Sequence, residues 1–308
     1  MDERRKGFLL GVAAYALWGL FPLYWPLLEP AGAVELLAHR VTWSALVMVL
    51  LVVLLRRGRR VRAMLRSART RWLLMLAAVL ISVNWGMFIY GVNSGQVVEV
   101  SLGYFINPLV TVLAGVLVLG ERLRRTQWLA LAIAAAAVTG LTLALGSPPW
   151  IALTLAFSFA GYGLVRKKAD VGAVEGLTVE TLLVVPLALG YLWWLGAAGQ
   201  AQSLEDWPWH LLLLTTSGLV TALPLICFGG AATRVPLTTL GLLQYGTPTL
   251  HFVIGVFLYG EEMPTARWLA FAAIWLALAL FTLDSVRHRR RRVPGDRLSE
   301  LQVGASGA

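Results

Sequence analysis

The sequence predicts an all-α integral membrane fold of ten transmembrane helices, built as two five-helix repeats of inverted topology. Three observations predict it. First, the 308 residues are 58% hydrophobic and only 14% charged, against about 45–50% and 25% in soluble domains, and the mean hydropathy is +0.73. A soluble fold of this length needs more polar surface than that. Second, the apolar residues fall in ten continuous runs rather than alternating, which selects helices over a β-barrel. Third, the two halves align when shifted by 140 residues. The same composition excludes disorder, collagen-like repeats and coiled coil. A lone cysteine, Cys227, leaves neither a disulfide framework nor a cysteine-based metal site.

A hydrocarbon core about 30 Å thick takes roughly 20 helical residues at about 1.5 Å each. Gly7–Leu28 is the first run; it is too long for a signal peptide, and no small-x-small cleavage site follows it. Ala33–Leu55 and Trp72–Val92 flank an arginine-rich connection. Val97–Leu119 and Trp128–Leu145 complete the first half. The second half repeats the pattern with Pro149–Val165, the shortest run, then Gly176–Leu195, His210–Ala232, Pro236–Tyr259 and Ala266–Val286. Most connections are short, so neighbours form antiparallel hairpins. The chain therefore divides into a cytoplasmic N-terminus (1–6), a first repeat (7–145), a second repeat (146–286) and a basic, disordered cytoplasmic tail (287–308).

Basic residues set the orientation. With the N-terminus in the cytoplasm, 24 of the 26 lysines and arginines lie on the cytoplasmic side, eight of them between Arg56 and Arg71. The exceptions are Arg40, within the second span, and Arg267, at the outer end of the tenth. The net charge of +10 therefore orients the protein and meets anionic lipid head groups; nucleic acid is not an expected partner.

The repeat rests on residues that chance supplies rarely. Gly120, Glu121 and Trp128 fall on Gly260, Glu261 and Trp268; Pro108 falls on Pro248, and Glu35 on Glu175. An odd number of spans per half inverts the second copy, the arrangement of secondary transporters whose halves exchange conformations around a midplane site. A duplication that only builds a stable bundle is the plainer alternative.

Several motifs point to a family. Leu102-Gly103-Tyr104-Phe105-Ile106-Asn107-Pro108, followed by Leu119-Gly120-Glu121-Arg122-Leu123, resembles the fourth-helix signature of the RarD proteins. So do Trp18-Gly19-Leu20-Phe21-Pro22-Leu23-Tyr24, His39-Arg40-Val41-Thr42-Trp43-Ser44, Tyr162-Gly163-Leu164-Val165-Arg166-Lys167 and Leu243-Gln244-Tyr245. The RarD proteins belong to the EamA-type branch of the drug/metabolite transporter superfamily. The resemblance runs from about Lys6 to Asp284. It implies inverted repeats around a central cavity, with the fifth and tenth helices peripheral, in a multi-pass permease of the bacterial inner membrane. Thr247-Pro248 departs mildly from the Ala-Pro of many relatives.

Polar groups within a bilayer are costly, so each is a candidate for function. Helical rise places Trp18, Asn84, Asn107, Pro108, Ser158, Thr247 and Pro248 near midplane. The prolines free backbone carbonyls that suit a substrate amine or a coupling proton or cation, or else they only kink helices. Trp85, Tyr104, Tyr162 and Tyr245, with Gln244, supply aromatic faces and polar tips for an amphipathic small molecule. Trp25, Trp150, Trp207 and Trp209 sit at span ends as interfacial anchors. Arg40 reads as an outer gate or an anion-binding group, paired with Glu99 or Glu35 in one state; the alternative is snorkelling to the head groups. Glu180 reads as a structural ion pair with Lys167, Lys168 or Arg234, or as a proton carrier. His251 reads as a packing residue, and the histidines are too scattered in depth for a metal. No cofactor is expected.

No lysine follows a glycine, so the chain has no Walker-type phosphate loop. An intramembrane enzyme would need paired aspartates or metal ligands at one depth, and all five aspartates lie at ends or in loops. A passive channel would need a ring of like polar groups. Both stay as alternatives to transport, an enzyme second and a channel third; the chain is not expected to be an enzyme. The alanine-rich fifth span suits close packing on another helix, with the number of copies left open.

Overall fold

The computed structural model describes residues 2–120, 123–201 and 208–305, with side chains as far as Ser285 except those of Leu119, Leu237 and Thr238. Its elements in chain order are α1 (Glu3–Gly19), α2 (Phe21–Tyr24), a 3-10 turn (Trp25–Leu28), α3 (Ala33–Leu54), α4 (Gly58–Arg66), α5 (Ala68–Asn93), α6 (Val97–Leu119) and α7 (Arg125–Leu145). Then come α8 (Trp150–Ala169), α9 (Ala173–Ala197), α10 (Trp209–Ala232), α11 (Leu237–Leu243), α12 (Gly246–Val253), a π turn (Ile254–Leu258) and α13 (Thr265–Ala305). The described residues hold no strand.

Helices occupy all ten expected positions, yet they do not all pass as continuous spans. Seven are long and apolar enough to cross a membrane, and α1 with the segment Phe21–Leu28, bent by 44°, makes an eighth. The sixth expected span is α8, whose 20 residues end in Arg166, Lys167 and Lys168 and include polar Thr154 and Ser158. The ninth is broken at Gln244–Tyr245 into α11 and α12. The connection after the second span is no simple loop. In α4, Val61, Met64 and Leu65 turn towards Val52, Leu74 and Val179, while arginines cover the other face. Helix α13 runs on past Arg287, where a disordered tail is expected; the side chains from Val286 onward lie outside the described residues, as does Glu121 of the Gly-Glu motif.

Contacts divide the chain into two compact units: Met1–Thr111 with Trp150–Glu262, and Val112–Pro149 with Met263–Ala308. Each takes pieces from both sequence halves. In the smaller unit α7 packs along α13, and Arg124 pairs with Asp284 at 2.6 Å. In the larger unit α5 packs along α8, α3 lies between α9 and α10, and α10 also packs on α1. One apolar core there joins Phe21, Trp25 and Leu28 to Phe88, Ile151 and Leu214. Small residues let backbones close up, as in other membrane bundles. A Cβ at Gly103 would lie 2.7 Å from the Ala152 carbonyl oxygen, and one at Gly218 2.5 Å from that of Trp43.

Two helix starts in this unit are capped by distant carboxylates. Glu261 accepts the N–H groups of Val97 and Val98, at 2.5 and 3.0 Å. Glu99 accepts those of Ile151 and Ala152, at 2.9 and 3.4 Å. First-turn N–H groups have no partner within their own helix, and the helix dipole favours negative charge there.

Candidate functional site

The chain turns sharply after α1, and Pro22 and Pro26 open the two short turns that follow. The 44° bend places Phe21 and Trp25 beside Arg40 of α3. Arg40 on α3 is only 3% exposed. The centre of its guanidinium lies 4.1 Å from the Trp85 ring, 4.9 Å from that of Trp25 and 5.6 Å from that of Phe21. Its Nε donates to Thr221 Oγ1 on α10 at 3.1 Å, and the hydroxyls of Tyr24 and Tyr104 are within electrostatic reach. Arginine stays charged in proteins. Burial of one charge costs several kcal/mol; desolvated cation–π contacts of about 2 kcal/mol and a charged hydrogen bond of about 1.5–3 kcal/mol offset it.

This geometry bears on three sequence readings. Arg40 does not snorkel, because aromatic rings wall it in. In this conformation it pairs with neither Glu99 nor Glu35: among the described residues it forms no ion pair, and Glu99 caps α8. Trp25 is no interfacial anchor, being fully buried. Trp150 and Trp209, by contrast, are exposed at 44% and 72%, and Trp207 lies outside the described residues.

Next to Trp85, Asn84 faces α8. Its Nδ2 donates to the Leu155 carbonyl at 3.0 Å and to Ser158 Oγ at 3.1 Å, and its Oδ1 accepts from the Tyr104 hydroxyl at 3.2 Å. Three residues singled out from sequence thus meet in one network, which Tyr104 links to the surroundings of Arg40.

The start of α9 carries two acids, each 1% exposed. Glu180 pairs with Arg166 at 3.0 Å and accepts from the Tyr162 hydroxyl at 3.2 Å. Its partner is therefore neither Lys167 nor Lys168, nor Arg234, which pairs with Glu3. The reason is helical phase: Arg166 follows Tyr162 by one turn on the same face. Glu175, not singled out from sequence, holds Arg57 and Arg60, each at 3.3 Å. Its alignment with Glu35 was the available signal. About 24 Å along α9, a cavity of about 650 Å³ lies between Gly32–Glu35 at the start of α3, Tyr90 at the end of α5, and Tyr191 and Gln200.

The remaining candidates are held by backbone. Thr247 donates to the Tyr15 carbonyl at 2.8 Å, the Pro248 carbonyl accepts from Ser101 at 2.7 Å, and His251 Nε2 meets the Trp18 carbonyl at 3.1 Å. Helix α6 passes through Pro108 unbroken, and half-buried Asn107 accepts from Thr111 at 3.4 Å. Gln244 and Tyr245 form the break in the ninth span, at the place where its counterpart is continuous. Among the described residues no group of three His, Cys, Asp or Glu is placed to hold a metal ion.

Comparison with known proteins adds to this geometry. Residues 5–143 match the model of the EamA-like transporter family. A protein from Streptomyces exfoliatus named Protein RarD is 53% identical over 290 residues, covering 94% of this chain and 92% of its own length. An uncharacterized transporter of Vibrio cholerae serotype O1 is 44% identical over 294 residues, covering 94% and 97%. A solved crystal structure with 21% sequence identity superposes with a TM-score of 0.54 over 90% of this chain and 97% of that one. That likeness speaks to the fold alone.

Proposed function

Because the chain belongs to the RarD proteins of the EamA-like transporter family, we propose that it is a secondary transporter moving a small organic solute by alternating access between two inverted five-helix repeats. In this reading all ten helices cross the bacterial inner membrane. Helix α8 is short and the α11–α12 pair is broken, as discontinuous spans of transporters are. The excess of arginine puts both termini in the cytoplasm.

The observation that carries the reading is an asymmetry between the two ends of α9. A cavity of about 650 Å³ lies at one end. At the other, buried Glu175 and Glu180 hold arginines from other parts of the chain. A transporter resting open on one side and pinned shut on the other has this form. The pinned end is the arginine-rich, cytoplasmic one. Arg40, Trp85, Asn84, Tyr104 and Ser158 then lie on the path, with Trp18, Asn107, Gln244 and Thr247 along it and a proton or cation as the coupling species.

The test is purified protein in liposomes, loaded with a metabolite mixture and read by mass spectrometry. Saturable counterflow of at least one solute is expected. Flux linear in concentration would replace the carrier with a channel, and chemical conversion of a solute would replace it with an enzyme.

A further inference from the structure

We propose that Arg40 is the anion-recognition point of this pathway and that the transported solute is an organic monocarboxylate; the second half of the statement rests on the transport reading above. Only Nε of the guanidinium is used, by Thr221. Among the described residues Nη1 and Nη2 have no hydrogen-bond partner, and no carboxylate pairs with the group. In the same box the indole N–H of Trp25 is buried without a partner. Buried donors are normally satisfied. The Trp25 N–H is such a donor left over, and it stands in the same aromatic box as a full positive charge whose Nη groups are unused.

The box also fixes what the acceptor looks like. Stacking on Trp85 at 4.1 Å sets the plane of the guanidinium, and the bond to Thr221 sets its rotation. The free Nη edge is then presented as a planar two-donor fork, which matches a carboxylate. One buried cation neutralises one negative charge; a dianion would leave a net charge in a region of weak screening. The aromatic walls suit an apolar body beside the carboxylate. Glu35, in the lining of the cavity, is five residues and so about 7.5 Å of helix from Arg40.

The experiment is a titration of the purified full chain in detergent with benzoate, followed by tryptophan fluorescence, for which Trp25 and Trp85 are the reporters. Benzamide and benzylamine keep the ring and remove the negative charge; chloride keeps the charge and removes the ring. Wild type should bind benzoate saturably and none of the other three over the same range. Arg40→Gln should weaken benzoate at least tenfold without lowering its own melting temperature. Thr221→Val, which leaves the charge but frees its orientation, should weaken it three- to tenfold. If Arg40→Gln does not fold, Arg40→Lys and Thr221→Val carry the test, because lysine lacks the fork.

Equal binding of benzylamine and benzoate would overturn the proposal, as would unchanged benzoate affinity in the folded variants. Benzoate binding without saturable uptake in liposomes would remove the transport reading and leave the anion site standing. Saturable counterflow of a neutral or cationic solute, undiminished in Thr221→Val, would do the reverse.

Discussion

Gly218→Ala is a one-carbon change whose effect can be worked out from the packing of α10 on α3. An added Cβ would sit 2.5 Å from the Trp43 carbonyl oxygen and 2.6 Å from its carbon. Non-bonded contacts of this kind close at about 3.5 Å, so the two backbones must part by about 1 Å. Both are main chain, and no side-chain rotation relieves the clash. Gly218 and Thr221 lie one turn apart on α10, and Trp43 and Arg40 one turn apart on α3. The separation therefore falls on the 3.1 Å bond from Arg40 to Thr221 and stretches it beyond hydrogen-bond range. A charged hydrogen bond is worth about 1.5–3 kcal/mol, and overpacking costs about 1–3 kcal/mol more. Thermal unfolding in detergent should show Gly218→Ala several degrees below wild type, with a transport rate reduced about tenfold or more. Gly229→Ala on the same helix is the control: nothing lies within 4 Å of its Cβ, and alanine is the better helix former by about 1 kcal/mol. If the two variants melt together and transport like wild type, the close approach of α3 and α10 is not what orients Arg40.

Asn84→Leu should cost about 1–3 kcal/mol by leaving the Tyr104 hydroxyl and Ser158 without their partner; thermal melts of Asn84→Leu, Tyr104→Phe and the double variant should be non-additive. Glu175→Gln releases Arg57 and Arg60, whose own exposure of 39% and 70% keeps the stability loss below about 1 kcal/mol. A cysteine at buried Thr178 should nevertheless label several times faster in that background, and an unchanged rate would show that the pairs do not hold this end shut. With Cys227→Ala, single cysteines at Gly32, Gly95 and Gly146 should react with an impermeant thiol reagent outside intact cells, while those at Ser67, Thr126 and Gly172 should not. Outside labelling at Ser67 would reverse the orientation.

The positions of the helices were legible in the sequence because a bilayer demands long apolar runs, and each run is visible without its neighbours. Their continuity was not. The break at Gln244–Tyr245 has the same proline as unbroken α6, and the difference lies in what surrounds it: Thr247 and Pro248 are bonded to Tyr15 and Ser101, contacts between distant parts of the chain. Arg40 stood out as a charge inside a span, but its aromatic box depends on the 44° bend at Leu20, and hydropathy does not encode that bend. Glu180 was visible and its partner was not, since three basic residues in a row leave only helical phase to choose among them. Gly103 and Gly218 look like any glycine until the facing backbone is known.

The two carboxylate caps have a consequence for how this molecule comes apart. Glu261 holds the first turn of α6 across 164 residues of chain, and that turn carries Glu99, which holds the first turn of α8 across 52. Each helix start takes its cap from a distant segment, α6 from Glu261 and α8 from the first turn of α6. Drawing the chain out by its C-terminal end peels α13 from α7 and then removes Glu261, which releases the amides of Val97 and Val98, and with them the grip on Ile151 and Ala152. Hydrogen exchange at these four amides is therefore linked, and mechanical extraction yields in jumps that cross the sequence rather than hairpin by hairpin.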